Sequence, residues 1–569
     1  MKHALLAWVM VLGAASAGEL PEWSEQAAAA WFAAHPEPGQ WKEAAGPLEA
    51  GLVARHAARG ARVFAEDEDF LGWLDHLRWL RLGGQLEVLQ AEGPLREAFA
   101  ALGARRGPAR VLLQALHPGD DAPKALEILL RLQVAAPADL EEHAALGAAF
   151  AVVHDQPFPK TWPHHQVDRG KVPEGDLDPV ARFSDLVAAH RAGRLEHDPR
   201  LLRTEELKFA VDTRVALEEL AWARKEVKFS TGKFARSYQS VAYDYRRAEQ
   251  QVFGWPHGSY RLQDILRLGG ICVDQAYYAA TAGKAKGIPT LYFSGQGADG
   301  GHAWFGYMEK PGKWEMDCGR YESQNYPVGE ALDPQTWQPI KDTELDLMVA
   351  DLPRKPEYAA ARAALAWTVL ARNGADFGAR LKEARAVMPE LPDSWLLEEA
   401  WLKKSGADAA ARKVFYGAWI QQFDKQTDFK VHGQAQLLEL LQAENDPAAA
   451  ALQQDMVREN RRKRFDLGIG AGVDGIFTHI EAQRWDEAEK EFKRMIRRFD
   501  ETGGGSLFYQ LIRPYVLTCA EEGQWDLAED AMKYAEKRMP VAPGSILQME
   551  FERLELLVGR RVRPGPSEP

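Results

Sequence analysis

Residues 269–317 read GGICVDQAYYAATAGKAKGIPTLYFSGQGADGGHAWFGYMEKPGKWEMD, and this stretch decides the reading of the fold. Gly269 and Gly270 permit a close backbone approach just before Cys272. The run from Val273 to Lys286 is patterned as a helix that ends at Gly287 and Pro289. Cys272 thus stands at a helix N-terminus, where the helix dipole and a neighbouring imidazolium would lower its thiol toward the reactive range. Thr290 to Ser294 is a short apolar strand pattern, Gly295 to Gly301 a glycine-rich loop, and His302 to Met308 a second strand. Glu309-Lys310-Pro311-Gly312 is a turn, after which Lys313 to Asp317 completes an antiparallel hairpin. In such a pair Asp317 would accept a hydrogen bond from one nitrogen of His302 while the other faces the thiolate. That is the arrangement a Cys-His-Asp acyl-transfer site needs.

The order Cys272, His302, Asp317 is accompanied by Gly270-Ile271-Cys272-Val273-Asp274-Gln275-Ala276 at a helix start and Gly287-Ile288-Pro289 after it. His302-Ala303-Trp304 opens a strand, and Trp314 lies three residues before Asp317. Together these words resemble the transglutaminase-like superfamily, over roughly Phe229 to Ile340. The resemblance implies a papain-type α+β core with Cys272 as nucleophile, His302 as general base and acid, and Asp317 as the orienting carboxylate. It implies an upstream oxyanion donor, for which Trp255 and Gln251 are the candidates, and a substrate groove near Trp304, Asp274 and Gln275. Packing is the competing reading for these aromatic and polar residues. Cys318 stands where many relatives carry proline. On a regular strand it faces away from His302 and packs; redirected by a bulge, it could form a disulfide with Cys272.

Working outward, a chain of 569 residues with 46% hydrophobic and 10% aromatic content is folded and multidomain. Its first residues, MKHALLAWVMVLGAASAGE, combine Lys2, an apolar core and Ala15-Ser16-Ala17, the pattern of a secretory leader cleaved after Ala17. A retained N-terminal helix is the alternative. The expected location is periplasmic or secreted. No later segment is patterned to span a bilayer, and a net charge of −13 argues against a nucleic-acid partner. Three cysteines, Cys272, Cys318 and Cys519, provide no disulfide framework.

Residues 18–225 are mostly helical in pattern. Phe70, Trp73, Leu74, Leu77 and Leu80 share one helix face, and Asp121 caps a helix carrying Leu126, Leu129 and Leu130. Phe158 to Gln166 interrupts them as a loop suited to cover a groove. Its His164-His165 pair lacks a carboxylate or cysteine at ligand spacing, so no metal is expected. Leu207 to Val211 reads as extended, ahead of a helix with Leu217, Leu220 and Trp222. Residues 226–345 form the expected transglutaminase-like domain. Residues 346–559 return to helices, in which Trp485-Asp486-Glu487-Ala488 is echoed by Trp525-Asp526-Leu527-Ala528. This resembles tetratricopeptide-type repeats, with an ordinary helical bundle as the alternative. Residues 560–569 are a tail without folding pattern.

The fold class expected is therefore α+β and multidomain, with a central transglutaminase-like core between predominantly helical regions. The expected chemistry is attack of Cys272 on a peptide or glutamine carboxamide to give a thioester. Hydrolysis is favoured over cross-linking, with no cofactor and no metal. The expected partners are a protein or peptide substrate and a protein bound by the C-terminal repeats. The alternative is a binding scaffold that has kept the fold without catalysis.

Overall fold

The computed structural model describes residues 20–173, 175, 177–370 and 376–561. The segment expected to be a leader, residues 1–17, and most of the expected tail, residues 562–569, lie outside the described residues; Arg560 and Arg561 close the helix Ile546–Gly559. Helix accounts for 66% of the structure, so one small antiparallel sheet in the middle of the chain is the feature that positions the site. Its strands are β1 (Thr290–Gly297), β2 (Gly300–Lys310), β3 (Lys313–Cys318), β4 (Glu330–Leu332) and β5 (Pro339–Lys341). They lie in the order β3-β2-β1-β4-β5.

The β1–β2 ladder runs unbroken from Thr290↔Tyr307 to Gly297↔Gly300. The loop expected at Gly295 to Gly301 is instead strand around a two-residue turn, Ala298-Asp299. The glycines serve the ladder: a Cβ at Gly295 would lie 2.7 Å from Trp304, and one at Gly297 would lie 2.5 Å from Tyr326. The β2–β3 turn falls at Pro311-Gly312 as the sequence suggests, with Gly312 at φ 76.

Side-chain alternation divides the sheet into two buried faces. Ala303, Phe305 and Tyr307 pack with Cys318, Phe234, Tyr238 and the central helix. Leu291, Phe293 and Trp304 pack on the other side with Phe209, Ala331 and Leu345. Phe209 comes from helix α1 (Thr204–Val211), part of which was expected to be extended. Glu206 explains the difference, since its carboxylate accepts from the Arg203 amide at 2.9 Å and satisfies a free N–H of the first turn.

The central helix, α2 (Cys272–Ala285), is buried along nearly its whole length. Asp274 holds its start by accepting from the Ile271 amide at 2.8 Å, and Gly287 at φ 68 lets the chain turn back into β1. Around this middle, Trp31, Trp73, Trp79 and Phe99 build an N-terminal helical core that also takes in Leu352, Trp367 and Leu391. Packing therefore runs across the boundary drawn at residue 346. Farther on, α3 (Phe465–Glu481), α4 (Trp485–Phe499) and α5 (Trp525–Arg538) share a second helical core. The echoed tryptophans each open a helix, and Ala488 and Ala528 are both fully buried.

Candidate functional site

Cys272 is the first residue of α2 and is partly buried against the sheet. The Ala303 amide on β2 and the amides of Val273 and Cys272 itself direct their partial positive charge at its sulfur. These contacts favour a thiolate, as a helix N-terminus should. Burial is the larger effect, however, and with the adjacent Asp274 carboxylate it pushes the thiol up to about 11. The resting cysteine is thus a thiol at neutral pH, which corrects the expectation of a lowered pKa.

His302 lies one residue before Ala303. Its ring stacks on Tyr321 with centroids 4.7 Å apart and faces Tyr326 at 5.6 Å and Trp304 at 6.1 Å. Burial lowers its pKa below the ordinary imidazole value, against a raising effect of the Gly319 carbonyl. His302 Nε2 lies 2.7 Å from that carbonyl oxygen, so Nε2 carries the proton and donates. Nδ1 is left without a hydrogen-bond partner among the described residues, which makes it the basic nitrogen.

Asp317 does not take the role expected of it. Its carboxylate pairs with Arg320 at 2.8 Å, and its side chain is 62% exposed. The reason is strand alternation: Cys318 sits opposite Phe305 and turns inward, so its neighbour Asp317 turns outward. Gly319, at φ 96, then bends the chain so that its own carbonyl reaches His302. A backbone oxygen stands where a carboxylate was expected. Among the described residues no hydrogen bond joins Cys272 to His302, but Tyr321 and Tyr326, which stack on His302, also lie within electrostatic reach of the Cys272 sulfur.

The candidate groove residues are structural. Asp274 is fully buried and bound to Arg247 at 2.5 Å and Tyr260 at 2.8 Å. Gln275 donates to the Val241 carbonyl at 2.8 Å, and buried Trp304 donates to the Met316 carbonyl at 2.9 Å. Of the oxyanion candidates, Trp255 spends its indole N–H on the Ser259 carbonyl at 2.9 Å. Gln251 is exposed at φ 58 and makes no side-chain hydrogen bond among the described residues. Each has a local partner that claims it or a place in solvent.

What the sequence reading missed is a set of tyrosines. Tyr243, pushed up to about 12 by burial and by the Cys272 sulfur, stacks edge-on with Tyr245 at 4.9 Å. Tyr245 is 71% exposed and Tyr321 49% exposed, so they offer open aromatic surface beside a partly buried thiol. Their density was visible in the sequence, but density alone is the signature of a core. The loop 158–166 packs His164 against Tyr260, with Nε2 2.8 Å from the hydroxyl, and brings Trp162 to a cavity of about 70 Å³ that Tyr277 and Tyr292 also line. All three cysteines are free thiols, Cys318 among them. Among the described residues no cluster of three metal-ligating side chains occurs, and no helix is long and apolar enough to cross a membrane. No protein-family model, no curated protein and no solved structure matches the chain.

Proposed function

We propose that this protein is a transglutaminase-like cysteine acyl-transfer enzyme in which Cys272 and His302 act as a dyad oriented by the Gly319 carbonyl. The observation that carries this reading is the His302 Nε2–H donation to Gly319, which fixes the tautomer and leaves Nδ1 basic. His302 then takes the thiol proton as sulfur attacks a carboxamide carbon, and returns it to the departing amine. The amides at the start of α2, which already reach the sulfur, suit a developing oxyanion. Water as acceptor gives a peptidase or amidase, the favoured outcome, and an amine gives a cross-link. The leader-like first residues support export, and the C-terminal helices support a role in holding a protein substrate.

A second reading, a binding scaffold without catalysis, is favoured by two points: burial raises the thiol to about 11, and among the described residues no hydrogen bond joins it to His302. The test is mass analysis of glutamine peptides incubated with an amine donor and either the protein or its Cys272→Ala variant. Cysteine-dependent amine incorporation, deamidation or cleavage is expected. Identical products from both proteins, across a varied peptide set, would turn the assignment to the scaffold.

A further inference from the structure

Away from this site, the helix Ala448–Glu459, α3 and α4 enclose a cavity of about 200 Å³. Gly472 and Gly475 keep the α3 wall low, since a Cβ at Gly472 would lie 2.2 Å from Met495 and one at Gly475 would lie 2.7 Å from Gln453. Arg494 and Arg498, one turn apart on α4, line the opposite wall with Glu491 of the same helix. Arg494 is paired with Glu491, and the nearby Arg458 with Asp455 at 2.6 Å. Arg498 and the nearby Arg461 have no ion pair among the described residues. Arg498 is half-buried, and burial together with the fields of Arg494, Arg461 and Arg458 works against its charge. His479 also lines the cavity and has an Nδ1 shielded from solvent without a partner.

Two guanidinium groups thus line a crevice that holds one carboxylate, and two more, of Arg458 and Arg461, act on Arg498 from beside it, in a chain whose net charge is −13. Such a surplus is costly unless an anion offsets it, and the planar guanidinium fork suits tetrahedral oxyanions. A monoanion would neutralise the unpaired Arg498 alone, whereas a dianion also answers Arg461.

We infer that this crevice binds a phosphate-class dianion, gripped by Arg498 with Arg494 beside it. The dianion is either free phosphate or the phosphoryl group of a larger molecule. The inference stands apart from the chemistry at Cys272 and from any activity there.

The experiment is titration calorimetry of the full chain with inorganic phosphate, O-phosphoserine and succinate, at low and physiological salt. Phosphate or phosphoserine is expected to bind, more weakly as salt rises. Arg498→Gln should lower the affinity about tenfold or more, and Arg461→Gln by less. Preference for phosphoserine would identify the larger molecule as the source, and preference for phosphate the free ion. Arg498→Lys, which keeps the charge and loses the fork, should fold as the parent does and bind at intermediate strength. No heat with either phosphate at millimolar concentration, succinate binding equally well, or Arg498→Gln and Arg498→Lys both binding like the parent would each overturn the inference.

Discussion

At Cys272 two effects of position oppose each other, and burial outweighs the three backbone amides that reach the sulfur. With the thiol near 11 rather than about 8.5, folded protein at pH 8 should alkylate at Cys272 roughly a hundredfold more slowly than unfolded protein. Peptide mapping after timed iodoacetamide exposure measures this, and fast labelling would show the thiol to be activated. Because His302 must be neutral to accept a proton and burial lowers its pKa, any Cys272-dependent rate should rise through a midpoint below 6.5 as pH increases. Asp317 provides the sharpest contrast. If it oriented His302, its removal should cost orders of magnitude in rate, as in triads where that carboxylate sets the tautomer. Bound instead to Arg320 at the surface, Asp317→Ala should change the rate by less than about threefold and stability by less than about 1 kcal/mol, while His302→Ala abolishes activity. The places of Cys272 at a helix start and of His302 on a strand were legible from their flanking words. The Gly319 carbonyl was not, because every residue has one and only the bend at φ 96 aims this one.

At the scale of elements, α2 is anchored by a polar cluster inside the protein. Asp274 accepts from Ile271, Tyr260 and Arg247, and Arg247 also donates to the Val252 and Phe253 carbonyls at 2.7 Å. Removing the carboxylate would leave a buried guanidinium uncompensated, so Asp274→Ala should cost about 3–5 kcal/mol in chemical unfolding. A loss under 1 kcal/mol would show the cluster to be hydrated. The helix itself and the β2–β3 hairpin were legible because their signals are local: glycine and proline stops, alternation, and a Pro-Gly turn; the tight β1–β2 hairpin was hidden because its glycines read as loop. The segment 207–211 was misread because five apolar-rich residues fit either a strand or a helix, and the deciding bond, Glu206 to the Arg203 amide, lies just outside them.

Across the whole molecule, Asp428 ties the sheet to the C-terminal helices. It accepts from Lys341 at 2.8 Å, Thr343 at 2.7 Å and both arms of Arg464. Burial resists its ionisation, but Arg464 and Lys341 prevail and hold the carboxyl at about 2. A depressed carboxyl contributes stability that is fully present above the unfolded pKa and lost as pH falls through the folded one. The contact should therefore hold above pH 4 and release about 2 kcal/mol between pH 4 and 2. In calorimetry at pH 7, Asp428→Ala should separate the melting of the C-terminal helices from that of the sheet. A single unchanged transition would show that apolar packing alone couples them. Helical flanks, a short antiparallel sheet after a helix that begins at a cysteine, and the echoed tryptophan helices could all be read from periodicity and turn residues, because those signals are local. Whether Asp317 or a carbonyl meets His302, how deeply Cys272 is buried, which arginines go unpaired around a crevice, and where Asp428 finds its cations depend on residues up to 87 positions apart. Such distances are closed only when the chain packs, and no local pattern encodes them.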